Sequence, residues 1–218
     1  MADVLVHHLE RSRSHRVLWL LEELEVPYRI QVWKRGRDMR APPELRAIHP
    51  LGLAPVVQVD GAVLVESGAI IDALLDRFGD GRMRPKDGHE LDMYRFWLHY
   101  AEGSVMPPLL VKLLTNQLRK GAPWPASVVT RAIAGRLDAL YTDPQIARHL
   151  DFVERHLEDR EWLVSELSGA DVQMSYPLLA AVGRAAADRP AIRAFLDRCE
   201  ARPAWQRAVE KGGPPLLA

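Results

Sequence analysis

Hydroxyl groups and cations stand close together near the start of the chain, in the segment HHLERSRSHRVLWLLEEL that covers residues 7–24. A short apolar run gives way there to a helical pattern of leucines, and the hydroxyls and cations of interest at the junction are those of Ser12, Arg13, Ser14 and Arg16. Such groups at a helix N-terminus can hold an anion, because the free backbone N–H groups and the helix dipole favour negative charge. A serine in this position can also do no more than cap the helix. These residues alone leave both interpretations open.

A second candidate pair, Glu66 and Ser67, precedes the apolar helical segment GAIIDALLDRF. A carboxylate at this point can pair with an ammonium group, while the serine hydroxyl and the first-turn N–H groups can bind a carboxylate. The simpler interpretation makes Ser67 the N-cap and Glu66 a solvated partner of the helix dipole. Taken by themselves, the two residues favour this simpler interpretation.

The elements that would position these residues follow from the spacing of the apolar side chains. The first part of the chain alternates strands and helices: a strand over 4–9, a helix over 14–24, a strand over 28–33, a helical turn begun by Pro43, two strands joined by Asp60-Gly61, and a helix from Ser67 that Gly79 ends. Residues 81–89 are polar and contain glycine, which predicts a linker, and residues 90–218 show helical periods without a strand pattern. We therefore predict an α/β plus all-α protein, with a β-α-β-β-β-α domain at 1–80, a linker at 81–89 and an all-helical domain at 90–218.

Two features of the helical part are expected to be structural or to line a pocket. Ser168 and Asp171 fit the S/T-x-x-D capping arrangement, in which the two residues satisfy each other's backbone donors. Met106 is a candidate for the wall of an apolar pocket, together with some members of an aromatic group at helical spacing that we expect to be mostly core: Tyr94, Phe96, Trp97 and Tyr100.

Composition restricts the classes of function. Lys plus Arg and Asp plus Glu both number 29, and this balance argues against nucleic acid as a partner, because binding to phosphates needs a basic excess. No apolar run approaches the roughly 20 residues needed to span a membrane. The single cysteine, Cys199, cannot form a disulfide within the chain, which fits a cytoplasmic location, and the scattered histidines show no metal-binding spacing. We expect a cytoplasmic enzyme or binding protein without a metal.

Five segments, in this order along the chain, resemble the glutathione S-transferase family, and in particular a serine-using fungal and bacterial branch: HHLERSRSHRVLWLLEELEVPY, RAPPELRAIHPLGLAPVVQVDG, VESGAI, AEGSVMPPL and LSGADVQMSYPL. The resemblance implies a thioredoxin-like N-terminal domain followed by a helical bundle, with glutathione as the co-substrate. It also implies a homodimer, in which the α/β unit of one subunit packs against the helical unit of the other.

The resemblance assigns roles to the polar residues. It implies that Ser12 is the catalytic hydroxyl, with Arg13 as a neighbouring cation that also favours the glutathione thiolate, whereas we interpret Ser14 as a helix cap. Glu66 and Ser67 would bind the γ-glutamyl end of glutathione.

The resemblance also implies a cis bond between Ala54 and Pro55, although only roughly 5% of X–Pro bonds are cis and the residues alone predict trans. The backbone of Ala54 would then pair with the cysteinyl part of glutathione. His49 stands in the string HPLG, where the family usually has NPxG, and it either contacts glutathione or braces its loop. The glycyl carboxylate has four basic candidates, of which we choose the last because it lies closest to the PPEL turn: Lys34, Arg35, Arg37 and Arg40.

The implied activity is detoxification by conjugation of the glutathione thiol to hydrophobic electrophiles, with reduction of organic peroxides by the same thiolate as a second activity. One alternative is a glutathione-dependent isomerase of the zeta branch, which carries SSCS where this chain has RSRS. Another is a non-catalytic interaction module, which would have no need of Glu66, Ser67 and the hydroxyl turn together.

Overall fold

The computed structural model describes residues 2–36, 38–121, 123–185 and 189–216. The first part of the chain forms β1 (Val4–Leu9), α1 (His15–Glu23), β2 (Arg29–Trp33), a 3-10 turn (Pro43–Ala47), β3 (Val56–Val59), β4 (Ala62–Val65) and α2 (Ser67–Phe78). From residue 88 onward the described residues form helices and no strand: α3 (Gly88–Tyr100), α4 (Met106–Gly121), α5 (Ala126–Leu137), α6 (Asp143–Leu157), α7 (Gly169–Ala185), α8 (Pro190–Ala201) and α9 (Pro203–Gly212). Two π-helical segments, Ala101–Val105 and Asp138–Thr142, join α3 to α4 and α5 to α6.

The sheet has the strand order β2-β1-β3-β4, with β1 and β2 parallel and the other two pairs antiparallel. Val56, the first residue of β3, pairs with His7 of β1 and with Val65 of β4. Asp60 and Gly61, at φ +50° and +84°, form the tight turn between β3 and β4 that the sequence predicts. This register brings the carboxyl ends of β1, β2 and β4 to the same edge of the sheet as the beginning of β3.

The β-α-β-β-β-α order and the helical remainder confirm the predicted fold class, and the first part is thioredoxin-like. The boundaries differ slightly from the sequence prediction, since α1 begins at His15 and β2 at Arg29, one residue later in each case. Helix α3 begins at Gly88, inside the segment 81–89 predicted to be a linker. The polar composition of that segment did not reveal the helix, because Gly88 and His89 in its first turn are exposed. No helix among the described residues is long and apolar enough to cross a membrane.

Helix α1 lies at the centre of the molecule, and residues 15–22 are all buried. It packs against α9, where Trp19 and Trp205 meet edge to face with 4.8 Å between their ring centroids, and it also packs against α2 and α7. Because α1 is buried on every face, its polar side chains need partners from other elements. Glu22 accepts hydrogen bonds from Tyr28 and from two cations of α9. The α/β part and the helical part therefore share one continuous core.

The start of α7 is held by one half of the capping arrangement predicted for Ser168 and Asp171: the Asp171 carboxylate accepts from the Ser168 N–H, whereas the Asp171 N–H bonds to the Ser168 backbone carbonyl and not to its hydroxyl. Asp171 is fully buried and accepts hydrogen bonds from the backbone N–H groups of Ser168 and Leu163, both at 2.8 Å. The Ser168 hydroxyl also donates to this carboxylate at 2.8 Å and accepts from the Ala170 N–H at 3.3 Å. The Asp171 carboxylate therefore satisfies the backbone N–H of Ser168 and also holds the preceding loop in place at Leu163.

Asp171→Ala should lower the free energy of unfolding by roughly 2–6 kcal/mol, because two buried N–H donors lose their acceptor and each unsatisfied donor costs ~1–3 kcal/mol. Asp171→Asn keeps one oxygen and should cost less. Urea denaturation, monitored by circular dichroism, measures both changes in the free energy of unfolding. Glu166→Ala is the matched control, since Glu166 is an exposed carboxylate in the same loop and its loss should change stability by less than ~0.5 kcal/mol. Equal stabilities for the Ala variants at 171 and 166 would contradict this role.

Candidate active site

The edge of the sheet where β1 and β4 end and β3 begins borders a cavity of about 760 Å³. Its wall contains residues of the β1–α1 turn, of segment 35–54, and of α4 and α7. Four of the predicted site residues line it: Ser12, Arg13, Arg40 and Ala54. Four others lie near the same sheet edge but outside the lining: His49, Pro55, Glu66 and Ser67. A groove of similar size between residues 81–90 and 164–168 contains none of the predicted site residues.

Ser12 lies at the inner wall of this cavity and is 5% exposed. Its hydroxyl oxygen lies 2.7 Å from the Leu9 carbonyl oxygen and 2.7 Å from the Ser14 hydroxyl oxygen. The chain turns sharply just before it, because Arg11 adopts a left-handed conformation at φ +52°. The turn places Ser12 beside the N-terminus of α1, where the helix dipole favours an anion.

The prediction that Ser14 caps α1 through its side chain is wrong. Ser14 occupies the N-cap position, but its hydroxyl makes no capping hydrogen bond. The backbone of Ser14 is already helical (φ −65°, ψ −16°), whereas a capping serine is normally extended. Its fully buried hydroxyl instead points back toward β1 and lies 2.8 Å from Nδ1 of His8 and 3.1 Å from the Leu9 backbone nitrogen. Ser14 therefore connects the turn to the strand.

Two arginines near the start of α1 share one carboxylate from the helical part of the chain. Arg13, on the cavity wall, pairs with Glu102 Oε2 at 2.9 Å, and the fully buried Arg16 donates to Glu102 Oε1. Arg16 also donates to Gln173 of α7 at 3.2 Å, and its guanidinium lies 5.1 Å from the ring centre of Tyr176. Two cations against one carboxylate leave a positive excess beside Ser12. Sequence analysis identified Arg13 but missed Glu102 and Gln173, because nothing in their local sequence points to α1.

Glu66 and Ser67 follow directly after β4, and Pro55 directly precedes β3. Since Val56 pairs with Val65, Pro55 and Glu66 leave the sheet side by side. The Ala54–Pro55 bond is cis, as the family resemblance predicts. Ser67 is buried and is the first helical residue, so the simpler interpretation of Ser67 as the N-cap does not hold. The N-cap is Glu66, which is exposed and has φ +69°, a strained conformation for a residue other than glycine and one that often marks a functional position.

The four predicted basic candidates have different environments. Arg40 is exposed and lines the cavity, with Asp38 3.9 Å away. Arg35 also lines it, but its guanidinium donates to three backbone carbonyl groups and so fixes the loop. Lys34 is exposed and lies outside the lining, and Arg37 lies outside the described residues. Sequence analysis missed Arg46, a further cation of the lining.

His49 holds its own loop. Its Nδ1 lies 3.4 Å from the Leu51 backbone nitrogen, and its carbonyl oxygen accepts a hydrogen bond from the Gly52 N–H at 2.9 Å. Of the two roles that the sequence left open, these contacts support the bracing role.

The cavity is also lined by apolar side chains. The helical part of the chain supplies those of α4, α7 and the segment after α9: Met106, Leu109, Leu110, Leu113, Ala180 and Leu216. Met106 therefore lies where the sequence predicts, whereas Tyr94 and Trp97 are buried in the core. The cavity thus combines a hydroxyl and cations with an apolar surface.

Known proteins with similar sequence and structure are consistent with this site. Residues 12–77 match the family model for the N-terminal domain of glutathione S-transferases. Glutathione S-transferase 1 of Saccharomyces cerevisiae is 35% identical, covering 95% of this chain and 94% of the relative. Glutathione S-transferase 3 of Schizosaccharomyces pombe is 33% identical, covering 95% and 87%. A solved glutathione S-transferase from Actinobacillus pleuropneumoniae is 32% identical, with a TM-score of 0.76 over 98% of this chain and 94% of that one. The chain belongs to the glutathione S-transferase family.

Glu102→Ala should lower the free energy of unfolding by roughly 3–5 kcal/mol, because it leaves the buried Arg16 without its carboxylate. Arg13→Ala should cost no more than ~1 kcal/mol, because Arg13 is 40% exposed and Glu102 keeps its bond to Arg16. Urea denaturation of the two variants and the parent protein measures the difference. Equal losses would show that Glu102 does not hold Arg16 in place.

Proposed function

We propose that this protein binds glutathione at the sheet edge and conjugates its thiol to hydrophobic electrophiles. The observation that carries the proposal is the Ser12 hydroxyl, which lies at a cationic helix N-terminus on the wall of a cavity that is also lined by apolar side chains. The names of the relatives support glutathione as the thiol substrate. The proposal includes a detoxifying role in the cytoplasm, since conjugation consumes reactive electrophiles.

Glutathione would lie along the edge where the strands meet. Its γ-glutamyl ammonium would pair with Glu66, and the adjacent carboxylate would accept hydrogen bonds from Ser67 and the first turn of α2. Its cysteinyl backbone would pair with Ala54, which lines the cavity. Its glycyl carboxylate would reach the basic side of the cavity, where Arg40 and Arg46 stand.

The chemical step requires a thiolate, because a thiol with a pKa of ~8.5 is mostly protonated at neutral pH. A hydroxyl donor, the N-terminus of α1 and the positive excess around Arg13 all stabilise sulfur in its anionic form. The thiolate would then attack an electrophilic carbon held against the apolar side chains of α4. Organic peroxides could be attacked by the same thiolate, which makes their reduction a second activity of one site.

The two alternatives are less well supported. A non-catalytic module would have no need of a buried hydroxyl beside two arginines at the cavity wall. A zeta-type isomerase would carry the SSCS run that this chain replaces by RSRS. Retention on immobilised glutathione followed by turnover of a chromogenic electrophile tests the proposal against the first alternative. An assay for glutathione-dependent isomerisation tests it against the second.

Glu66→Ala should weaken glutathione binding by roughly 10- to 150-fold, because a charged hydrogen bond contributes ~1.5–3 kcal/mol. Isothermal titration calorimetry measures the affinity. Glu25→Ala is the matched control, since Glu25 is also an exposed glutamate with a left-handed backbone (φ +55°), but it follows α1 at the opposite edge of the sheet. Equal affinities for the two variants would show that Glu66 does not bind the ammonium group.

Ser12→Ala should raise the pKa of the bound glutathione thiol, and turnover at neutral pH should fall by about tenfold for each pH unit by which that pKa rises. Turnover should return as the pH increases, since the thiol then ionises without help. The ultraviolet absorbance of the thiolate, followed against pH, measures the pKa. Ser165→Ala, which changes an exposed serine outside the cavity, should leave the titration unchanged. If the bound thiol had the same pKa in Ser12→Ala as in the parent protein, thiol activation would be assigned to Arg13 or to the helix N-terminus.

We further propose that the protein is a homodimer. Helices α4 and α5 carry exposed apolar side chains, more than single subunits commonly leave in water: Leu114, Leu118, Val128, Val129 and Ile133. Val63 on β4 is also exposed, which fits a dimer in which the α/β unit meets the helical unit. Sedimentation velocity at micromolar concentration should give the mass of two chains, and a single-chain mass would contradict the proposal.

A further inference from the structure

Ser12 is the outer end of a chain of hydrogen bonds that leads from the cavity into the core. The Ser12 and Ser14 oxygens are 2.7 Å apart, and the Ser14 oxygen is 2.8 Å from Nδ1 of His8. Nε2 of the same ring is 2.8 Å from the carbonyl oxygen of Gly212, the last residue of α9. All three side chains are at most 5% exposed, so water does not replace these contacts.

The directions of these hydrogen bonds follow from the chemistry of the groups. A carbonyl oxygen only accepts, so the proton of the neutral His8 ring is on Nε2 and Nδ1 is an acceptor. Burial lowers the pKa of His8 below its usual value, against the opposing effects of the Gly212 hydrogen bond and of Glu10, which keeps the ring neutral near pH 7. Ser14 has one hydroxyl proton and donates it to His8. Ser12 must then donate inward, to Ser14 or to the Leu9 carbonyl.

In the free protein, therefore, Ser12 presents an acceptor oxygen to the cavity rather than a proton. An acceptor oxygen cannot donate a hydrogen bond to a thiolate, but it can receive the proton of a thiol. We propose that His8 is a positioning residue for the reaction and accepts, through Ser14 and Ser12, the proton that the glutathione thiol loses. The inference rests on the proposed function and extends it to residues that do not touch the substrate.

The proton transfer is balanced within the hydrogen-bonded chain of Ser12, Ser14 and His8. The S–H bond breaks with both electrons left on sulfur, and its proton passes to the Ser12 oxygen. The proton of Ser12 moves to Ser14, and that of Ser14 moves to Nδ1 of His8. The Ser12–Ser14 and Ser14–His8 hydrogen bonds then point the other way, while His8 Nε2 still donates to the Gly212 carbonyl, so that Ser12 donates to the thiolate and His8 is an imidazolium. One event thus removes the thiol proton and turns Ser12 into the donor that the thiolate needs.

Two groups beside His8 stabilise its charged form, against the opposing effect of burial, once the proton has arrived. The Gly212 carbonyl belongs to the C-terminus of α9, where the helix dipole is negative and stabilises a cation. A side chain at position 212 would prevent the contact, because a Cβ there would lie 2.4 Å from Leu18 and 3.1 Å from His8 Nε2. Glu10 also favours the imidazolium. On α1, burial lowers the pKa of His15 to about 3, with His8 and Arg16 adding to the effect, so His15 stays neutral.

The first test is the titration of the bound thiol in His8→Gln and Ser14→Ala. Glutamine keeps an N–H donor for the Gly212 carbonyl but has no nitrogen that titrates, and Ser14→Ala interrupts the chain in the middle. In both variants the thiol pKa should rise by at least one pH unit, and turnover at about pH 6.5 should fall tenfold or more and recover at high pH. The matched control is His7→Gln on the same strand, since His7 is also buried but bonds to Trp33 instead. Its titration should match that of the parent protein.

The second test counts the protons released when glutathione binds, by calorimetry in buffers of different ionisation enthalpy. In the parent protein the thiolate should form near neutral pH with almost no proton release, because His8 retains the proton. In His8→Gln, at a pH where its bound thiol is ionised, one proton per glutathione should enter the buffer. A purely structural role for His8 would not change this count.

Binding of S-methylglutathione, which has no thiol proton, separates failure of this inference from failure of the proposed function. All variants should bind it as the parent protein does, and a parent protein that does not bind it would overturn the proposed function itself. In another outcome, S-methylglutathione binds while His8→Gln and Ser14→Ala keep the thiol pKa and the proton count of the parent protein. That result would overturn the proton transfer to His8 and would assign activation of the thiol to Ser12 without His8. If His8→Gln does not fold, Ser14→Ala decides the question by the same two measurements.

Discussion

The burial of α1 on every face is the constraint on which most of this structure depends. A helix in that position cannot send its polar side chains into water, so each requires a partner from another part of the chain. Arg16 donates through Nη1 to Glu102 and Gln173, and Glu22 accepts from Tyr28 and from cations of α9. These contacts attach the helical part of the chain to the α/β part. They also fix the N-terminus of α1, which is the end that the proposed chemistry uses.

The register of the sheet is the second condition for the site. Because β3 is antiparallel to both β1 and β4, the residues just after β1, just before β3 and just after β4 meet at one edge. The Asp60–Gly61 turn fixes this register, since a shift of one residue would turn the apolar side chains of β3 and β4 to the wrong face. Hydroxyl, backbone and carboxylate groups from three distant segments are thus brought together at this edge.

The charged groups of the cavity come from one part of the chain. The β1–α1 turn and segment 35–54 supply the hydroxyl, the backbone of Ala54 and the cations together with apolar residues, whereas α4 and α7 supply only uncharged residues. Under the proposed function, glutathione would be recognised by the first group and the electrophile by the second. Helix α9 makes a third contribution from within the core, because the backbone carbonyl of its last residue, Gly212, accepts a hydrogen bond from His8.

The sequence by itself determined the order of elements, the turn at Asp60–Gly61 and the family, because periodicity, turn residues and short strings are local properties of a chain. It also identified Ser12, Arg13, Arg40 and Ala54, which the cavity brings together. Only the tertiary structure decided what Ser14 does, since its hydroxyl turns to His8 instead of capping α1. The same holds for Glu102, Gln173 and Gly212, whose partners on β1 and α1 are 86, 157 and 204 positions away along the chain. Pairings at such separations are set by packing of the whole core, and no local pattern of residues records them.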